Sequence, residues 1–411
     1  MKIVIFDREE IHHVGGLSVY NKRLRQFLLN GGHQVHLFCF ENKKTRLHNV
    51  LSLPYYWAEK HAFLFLPKEN TLSVIRKELK RIKPDLVYYP MGITVFDLFI
   101  PSICHELAIP IVGIWHLDFN EKVFNPYVIF IKSIFRAYLH FCKQLDGLLV
   151  FSEKVKNFYV ARGLPAKKIH IVPNGIDVRF YKPGVSHFAI QKGIKKGILF
   201  LGRVTLQKNP EVLLKSFSLL NDSGIKLIIV GDGDLRKNLR EEFGDKRIIF
   251  TGSIDNEQKK LDIIRACQIF VLPSLAEGMS LALLEAMACG LACITSDAGN
   301  HGQILKNAGI VIPTIKLKQE LPVILRLLND HPDFVSLLGK KGRKKAISFY
   351  NEEKNFGRLE KIFKKIVIDY KNYPRSWKET QKNETGFKEI IGSLAKKAKK
   401  FSADYLFPAD T

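Results

Sequence analysis

The chain is short of long apolar runs, of paired cysteines and of negative charge, and each shortage excludes something. No stretch reaches the roughly 20 uninterrupted apolar residues of a transmembrane helix. The opening run Lys2-Ile-Val-Ile-Phe6 meets Asp7 and Arg8 at once, too early for a secretory leader. A cytoplasmic protein is therefore expected, free or resting on a surface. The six cysteines (Cys39, Cys104, Cys142, Cys267, Cys289 and Cys293) form no C-x-x-C pair. Cys289 and Cys293 also lack the adjacent His or Cys of a zinc site, so all six read as buried, reduced thiols. The G-x-G-x-x-G dinucleotide fingerprint and the G-x-x-x-x-G-K-[ST] loop are both missing, which disfavours a nicotinamide-dependent dehydrogenase and an ATPase. Zinc-finger spacing, an RNP-like aromatic motif and a basic helix-turn-helix are missing too, so no specific nucleic-acid partner is expected. Against 64 Lys and Arg there are only 40 Asp and Glu, a net charge of +24 over 411 residues. Such a field favours polyanions without choosing among nucleic acid, anionic lipid and phosphorylated substrates.

What is present is a rhythm. Apolar, β-branched runs of four to six residues recur at Lys2–Phe6, Gln34–Cys39, Asp85–Tyr89, Pro110–Trp115, Gly147–Phe151 and Lys168–Val172. After a break it resumes at Gly197–Leu201, Ile225–Val230, Arg247–Thr251, Gln268–Leu272, Leu291–Thr295 and Gly309–Ile312. Strands buried on both faces of a parallel sheet read this way. Helical patterns such as Leu17–Leu29, Asn209–Leu220 and Leu281–Cys289 lie between them. Two sets of six βα repeats predict an α/β protein of two Rossmann-like, doubly wound domains facing across a cleft, where ligands of such sheets bind. The seam falls around Pro173–Lys196, dividing the chain into 1–175 and 176–349, with a basic, polar appendage over 373–411.

Four clusters carry chemistry. Ser274-Leu-Ala-Glu277-Gly278-Met279-Ser280-Leu281 places a small-residue turn between a strand and a helix that continues to Glu285. Amides at a helix start and the helix dipole both favour an anion there. The eight residues from Glu277 to Glu285 span at most about 12 Å, which suits two acids gripping a long ligand better than two acids on one bond. Gly202-Arg203 ends a strand, and Lys208 follows before the next helix; a fork and a point charge there suit a diphosphate. Gly15-Gly16 opens the first helix and permits close backbone approach to a ligand. Trp115-His116 ends a strand of the first domain, where the imidazole can meet a sugar or serve structure alone.

Taken in order, these pieces resemble glycosyltransferase family 4 of the GT-B fold. The resemblance runs from Met1 to about Tyr370 and includes Gly15-Gly16, Val172-Pro-Asn174-Gly175-Ile-Asp177 and Gly202-Arg203…Lys208-Asn209. It continues through Val230-Gly-Asp-Gly233, Phe250-Thr-Gly252 and Glu277-Gly…Glu285-Ala. It implies a retaining enzyme that moves a sugar from a nucleoside diphosphate sugar. Arg203 and Lys208 would bind the diphosphate, Glu285 the ribose hydroxyls, and Glu277 with the amides of Gly278, Met279, Ser280 and Leu281 the transferred sugar. Gly15 and Gly16 would close over the phosphates, and His116 would touch the sugar from the other domain. A final helix at about 350–370 would pack back on the first domain. No cofactor and no metal is implied. Where family members often carry a second Gly or a Phe, this chain has Met279 and Ser280, which leaves the accepted sugar undefined. A nucleotide-sugar 2-epimerase on the same scaffold, or a basic nucleic-acid-binding protein, are the alternatives.

The excess charge has one focus. Residues 125–143 begin with Asn125-Pro126, and Lys132, Arg136, His140 and Lys143 form a narrow stripe among aliphatic and aromatic residues. That is the pattern of a helix lying in a membrane interface, or of a buried helix with a solvated stripe. With the lysines of 396–400 it suggests an anionic membrane surface as partner and a lipid-linked or envelope glycan precursor as acceptor, at the cytosolic face.

Overall fold

The computed structural model describes residues 1–7, 16–40, 49–53, 55–58, 65–67, 70–91, 96–115, 139, 141–277 and 280–373. They form two compact units, each built on a parallel sheet. The first sheet contains β1 (Lys2–Asp7), β2 (Gln34–Phe40), β3 (Val50–Leu53), β6 (Leu86–Met91), β7 (Ile111–Trp115), β8 (Gly147–Val150) and β9 (Ile169–Ile171). Its order is β3-β2-β1-β6-β7-β8-β9. A separate antiparallel pair, β4 (Tyr55–Ala58) and β5 (Phe65–Pro67), lies outside that sheet.

The second sheet contains β10 (Lys196–Leu201), β11 (Ile225–Val230), β12 (Ile248–Gly252), β13 (Ile269–Leu272), β14 (Ala292–Ser296) and β15 (Ile310–Ile312). Its order, β12-β11-β10-β13-β14-β15, is that of the dinucleotide-binding doubly wound sheet, starting at its centre and reversing once. Ile3, Val4, Ile5 and Phe6 are all fully buried in succession, as are Leu227, Ile228 and Ile229. Strands covered on both faces need this unbroken apolar sequence.

The twelve expected strands are all present. The first sheet has seven rather than six, because Val50–Leu53 adds an edge strand beside β2. It is four residues long and only Leu53 is buried, so it lacks the apolar run that marks the others. All six cysteines are buried, and none is in a disulfide. Among the described residues no helix is long and apolar enough to cross a membrane.

Among the described residues the chain passes from the first unit to the second at Val172/Pro173 and leaves it again at Gly357/Arg358. The sequence boundaries of 175 and 349 differ from these because both crossings are built into one local structure. Ile176 donates to the Tyr350 carbonyl at 2.7 Å, and Glu352 donates back to Ile176 at 3.0 Å. Asn355, buried, bridges the carbonyls of Pro173 and Phe349, both at 3.1 Å. Backbone exchange of this kind binds 350–357 to the second unit, whatever the hydrophobic pattern of the helix that follows. That helix runs from Glu352 to Asn372, and beyond Gly357 it packs Phe363 on Tyr88 in the first unit. Of the basic segment 125–143, only 139 and 141–143 lie among the described residues: Phe141 and Cys142 are buried and Lys143 is exposed. The appendage beyond 373 lies outside them.

Two glycines test the packing. Gly339 lies on the helix Pro332–Phe349, and a Cβ there would stand 2.1 Å from the Gly290 carbonyl oxygen. Gly357, also helical, has nothing within 4 Å of that position. We expect Gly339→Ala to cost about 1–3 kcal/mol in denaturant unfolding and Gly357→Ala to gain up to about 1 kcal/mol; a gain for both would contradict the backbone contact.

Candidate active site

In the second unit, the loops after β10, β11 and β12 converge at the carboxyl edge of the sheet. Gly202 donates to the Val230 carbonyl at 3.0 Å, Val204 to Asp232 at 2.9 Å, and Gly231 to Gly252 at 2.9 Å. The approach leaves no room for side chains: a Cβ at Gly231 would sit 1.9 Å from the Gly202 oxygen, and one at Gly233 2.4 Å from the Val204 oxygen. The Gly231-Asp-Gly233 pair, an incomplete dinucleotide fingerprint in sequence, here makes space for the loop that carries Arg203.

That loop is fastened on its other side to the turn after β13. Leu275 donates to the Gln207 carbonyl at 2.8 Å, the Gln207 amide to the Ala276 carbonyl at 3.1 Å, and Asn209 to the Pro273 carbonyl at 3.3 Å. Asn209 adopts a left-handed backbone (φ 53°) just before the helix Pro210–Ser218 begins at its proline. The chain turns so tightly there that Lys208 is aimed at Glu277. Their ion pair is nearly out of water, with side chains 13% and 12% exposed. Ser274 also donates to Glu277, at 3.3 Å, and Ser296 donates to the Ser274 carbonyl at 2.5 Å. Arg203 is exposed and reaches Gln207 at 3.4 Å.

The following helix, Leu281–Ala288, is capped by Ser280, whose hydroxyl accepts from the Leu283 amide. It is apolar on every side, and Leu283, Leu284, Ala286, Met287 and Ala288 are buried. Glu285 is buried among them, 5% exposed. A carboxylate in such a place requires a partner, and Lys260 supplies it at 2.9 Å.

Of the residues singled out in sequence, Arg203, Lys208, Glu277, Ser280, Leu281 and Glu285 all belong to this one carboxyl edge. Gly16 is the first residue of the helix Gly16–Asn30 after β1, in the other unit. Gly15, His116, Gly278 and Met279 lie outside the described residues. Sequence reading missed Ser274, Gln207, Lys260 and His301. Ser274 was within reach, standing between the strand and Glu277. Lys260 is one cation in Glu257-Gln-Lys-Lys260, a helix start indistinguishable from an exposed one, and His301 sits in a polar turn with no periodicity. His301 is fully buried, with the Ser296 backbone beside its ring. Burial pushes its pKa down to about 4, with Glu277 opposing and Lys208 adding to the shift.

Two family models match the chain: Glycosyltransferase Family 4 over residues 14–180 and Glycosyl transferases group 1 over residues 195–330. The UDP-Gal:alpha-D-GlcNAc-diphosphoundecaprenol alpha-1,3-galactosyltransferase of Escherichia coli is 26% identical over 52% of this chain and 58% of its own length. The chain spans about half the length of the first curated relatives it matches. The N-acetyl-alpha-D-glucosaminyl L-malate synthase of Bacillus anthracis is 27% identical over 87% of this chain and 96% of its own. In structure, HepE of Anabaena in complex with UDP superposes with a TM-score of 0.72 at 15% identity, covering 89% of this chain and all of that one (100%).

His301 gives a pH signature. Its folded pKa is depressed from 6.5 to about 4, so the unfolded chain takes up the proton first as pH falls. The stability it contributes is complete above about pH 6.5 and is lost progressively towards pH 4. Between pH 7 and pH 5 the wild type should lose about 2 kcal/mol more than His301→Gln in denaturant unfolding; parallel pH profiles would contradict a neutral, buried imidazole.

Proposed function

The chain belongs to glycosyltransferase family 4, with a group 1 glycosyl transferase domain in its second half, and we propose from this that it moves a sugar from a nucleoside diphosphate sugar to an acceptor with retention of anomeric configuration. The observation that carries the reading is the placement of Lys208, Glu277 and Arg203 on two mutually fastened turns beside the start of the Glu285 helix. Arg203 and Lys208 neutralise the diphosphate as it departs. Glu277 holds hydroxyls of the transferred sugar, and Glu285 the ribose. The amides at the start of the helix Leu281–Ala288 point outward and favour the same anion.

The site is preorganised for such a ligand. Lys208 and Glu277 already form an ion pair with little water around them. Diphosphate therefore meets a cation that needs no desolvation at the moment of reaction, which is where electrostatic catalysis is most effective. The reading assigns none of these residues as a covalent nucleophile. The reaction then proceeds on one face: the bond from the anomeric carbon to the leaving phosphate oxygen breaks, the acceptor oxygen attacks the short-lived oxocarbenium ion, and the phosphate oxygen takes the acceptor proton. Charge on the leaving group is met by Arg203 and Lys208, and the reading requires no metal.

For the acceptor we propose a lipid-linked or envelope glycan precursor at the cytosolic membrane face. The net charge of +24 and the basic-apolar pattern of residues 125–143 support it. So does the diphosphoundecaprenol in the name of the Escherichia coli relative.

Release of nucleoside diphosphate from a panel of nucleoside diphosphate sugars, with and without a lipid-linked acceptor extract, tests the whole reading. One donor should turn over, faster with acceptor and equally well in chelator. Arg203→Ala and Glu277→Ala should each slow it by about 10²–10³-fold. A sample that neither releases nor binds nucleoside diphosphate would sink the proposal.

A further inference from the structure

Glu285 has a partner from another element. Lys260, on the helix Glu257–Arg265, reaches Glu285 on the helix Leu281–Ala288. Its ammonium is 2.9 Å from Glu285 and 2.9 Å from Glu257, and its side chain is 16% exposed. Glu257 in turn accepts a hydrogen bond from the hydroxyl of Tyr181, which is fully buried and has the Lys260 ammonium 5.5 Å above its ring.

Both ends of this chain of contacts are anchored. Arg343 donates to the Tyr181 carbonyl and to the Ala288 carbonyl at the end of the Glu285 helix. Asp262, two residues after Lys260, accepts from the amides of His187 and Phe188 at 2.8 and 2.9 Å. Lys260 therefore has a fixed base and two carboxylates to choose between. Glu257, 44% exposed, gains little from being ionically paired; Glu285, with a 7% exposed side chain, gains a great deal.

We propose that Lys260 is the positioning residue of the nucleotide subsite: its ammonium holds the Glu285 carboxylate in the orientation in which it accepts hydrogen bonds from the ribose hydroxyls of the donor. The inference rests on the assignment of Glu285 to the ribose. A carboxylate this deeply buried needs a fixed partner, and the Lys260 ammonium at 2.9 Å is one that also sets its direction. Burial pulls the Lys260 pKa down, but the two carboxylates outweigh the loss and raise it, so the ammonium stays charged where it is needed. Lys260 does not touch the nucleotide; it acts through Glu285.

A role confined to holding two helices together would weaken every nucleotide alike, and the test separates the two. Binding of UDP, GDP and ADP is measured by calorimetry, and the tightest is compared with its 2′,3′-dideoxy counterpart, in the wild type and in Lys260→Met. The variant should bind the ribonucleotide about tenfold more weakly and the dideoxy form unchanged, so that the preference for the ribose collapses. Lys260→Arg, which retains a charge able to reach Glu285, should restore most of the preference. Lys260→Gln should reproduce the selective loss and serves if the Met variant does not fold. Equal weakening of both nucleotides, or an undiminished preference in Met and Gln, overturns the role of Lys260 while leaving the glycosyltransferase reading standing. A wild type that binds the two forms equally removes the ribose from Glu285 and the proposal with it; a wild type that binds none of the three nucleotides overturns both readings.

Discussion

The carbonyl oxygens of Gly202 and Val204 occupy the space where side chains at 231 and 233 would stand, and the arrangement of the candidate site depends on that crowding. Because glycine leaves the space open, the loop after β10 lies flat against the loop after β11 and hydrogen-bonds to it at Gly202, Val204 and Leu235. Held there, its far end meets the turn after β13, and Gln207 and Asn209 complete the connection. Arg203 and Lys208 thus stand on a loop fixed from two sides. Backbone contacts of this sort do not repack as side chains do, so the cations are placed before any ligand arrives.

The acidic half of the site is held by charge. Glu277 and Glu285 sit at opposite ends of one short passage of chain, and each has a lysine from a different element. Buried ion pairs contribute little net stability, because removing two charges from water costs about as much as their attraction returns. Their effect here is on geometry. Two carboxylates, one before the helix start and one within the helix, are thus each held by a lysine, with Arg203 exposed on the neighbouring loop. Behind them the surroundings turn neutral: Ser274 and Ser296 form a short hydrogen-bonded relay, and His301 stays uncharged at ordinary pH.

Both crossings between the units rest on a related device. Ile176 and Asn351 pair as a parallel bridge, and Gly175 lies so close to Glu352 that a Cβ would come within 2.4 Å of its Cα. Asn355 closes the arrangement by donating to the carbonyls of both segments. The end of the last helix thereby belongs to one unit and its beginning to the other.

The sequence determined the twelve principal strands and the doubly wound class, and it pointed to six residues that the second unit carries on neighbouring loops and one helix. Strands covered on both faces must be apolar throughout, and residues next to a strand end must lie at the carboxyl edge where parallel sheets bind ligands. Both rules are local, so one chain read in order suffices. The edge strand Val50–Leu53 escaped because half-burial leaves no distinctive run. Only the tertiary structure decided that Lys208 meets Glu277 and that Lys260, among several lysines on an ordinary helix start, meets Glu285. It also decided that His301, in a polar stretch of sequence, is fully buried. Such pairings join residues 25 to 69 positions apart through the order of strands in a sheet, and a charge carries no periodicity that names its partner.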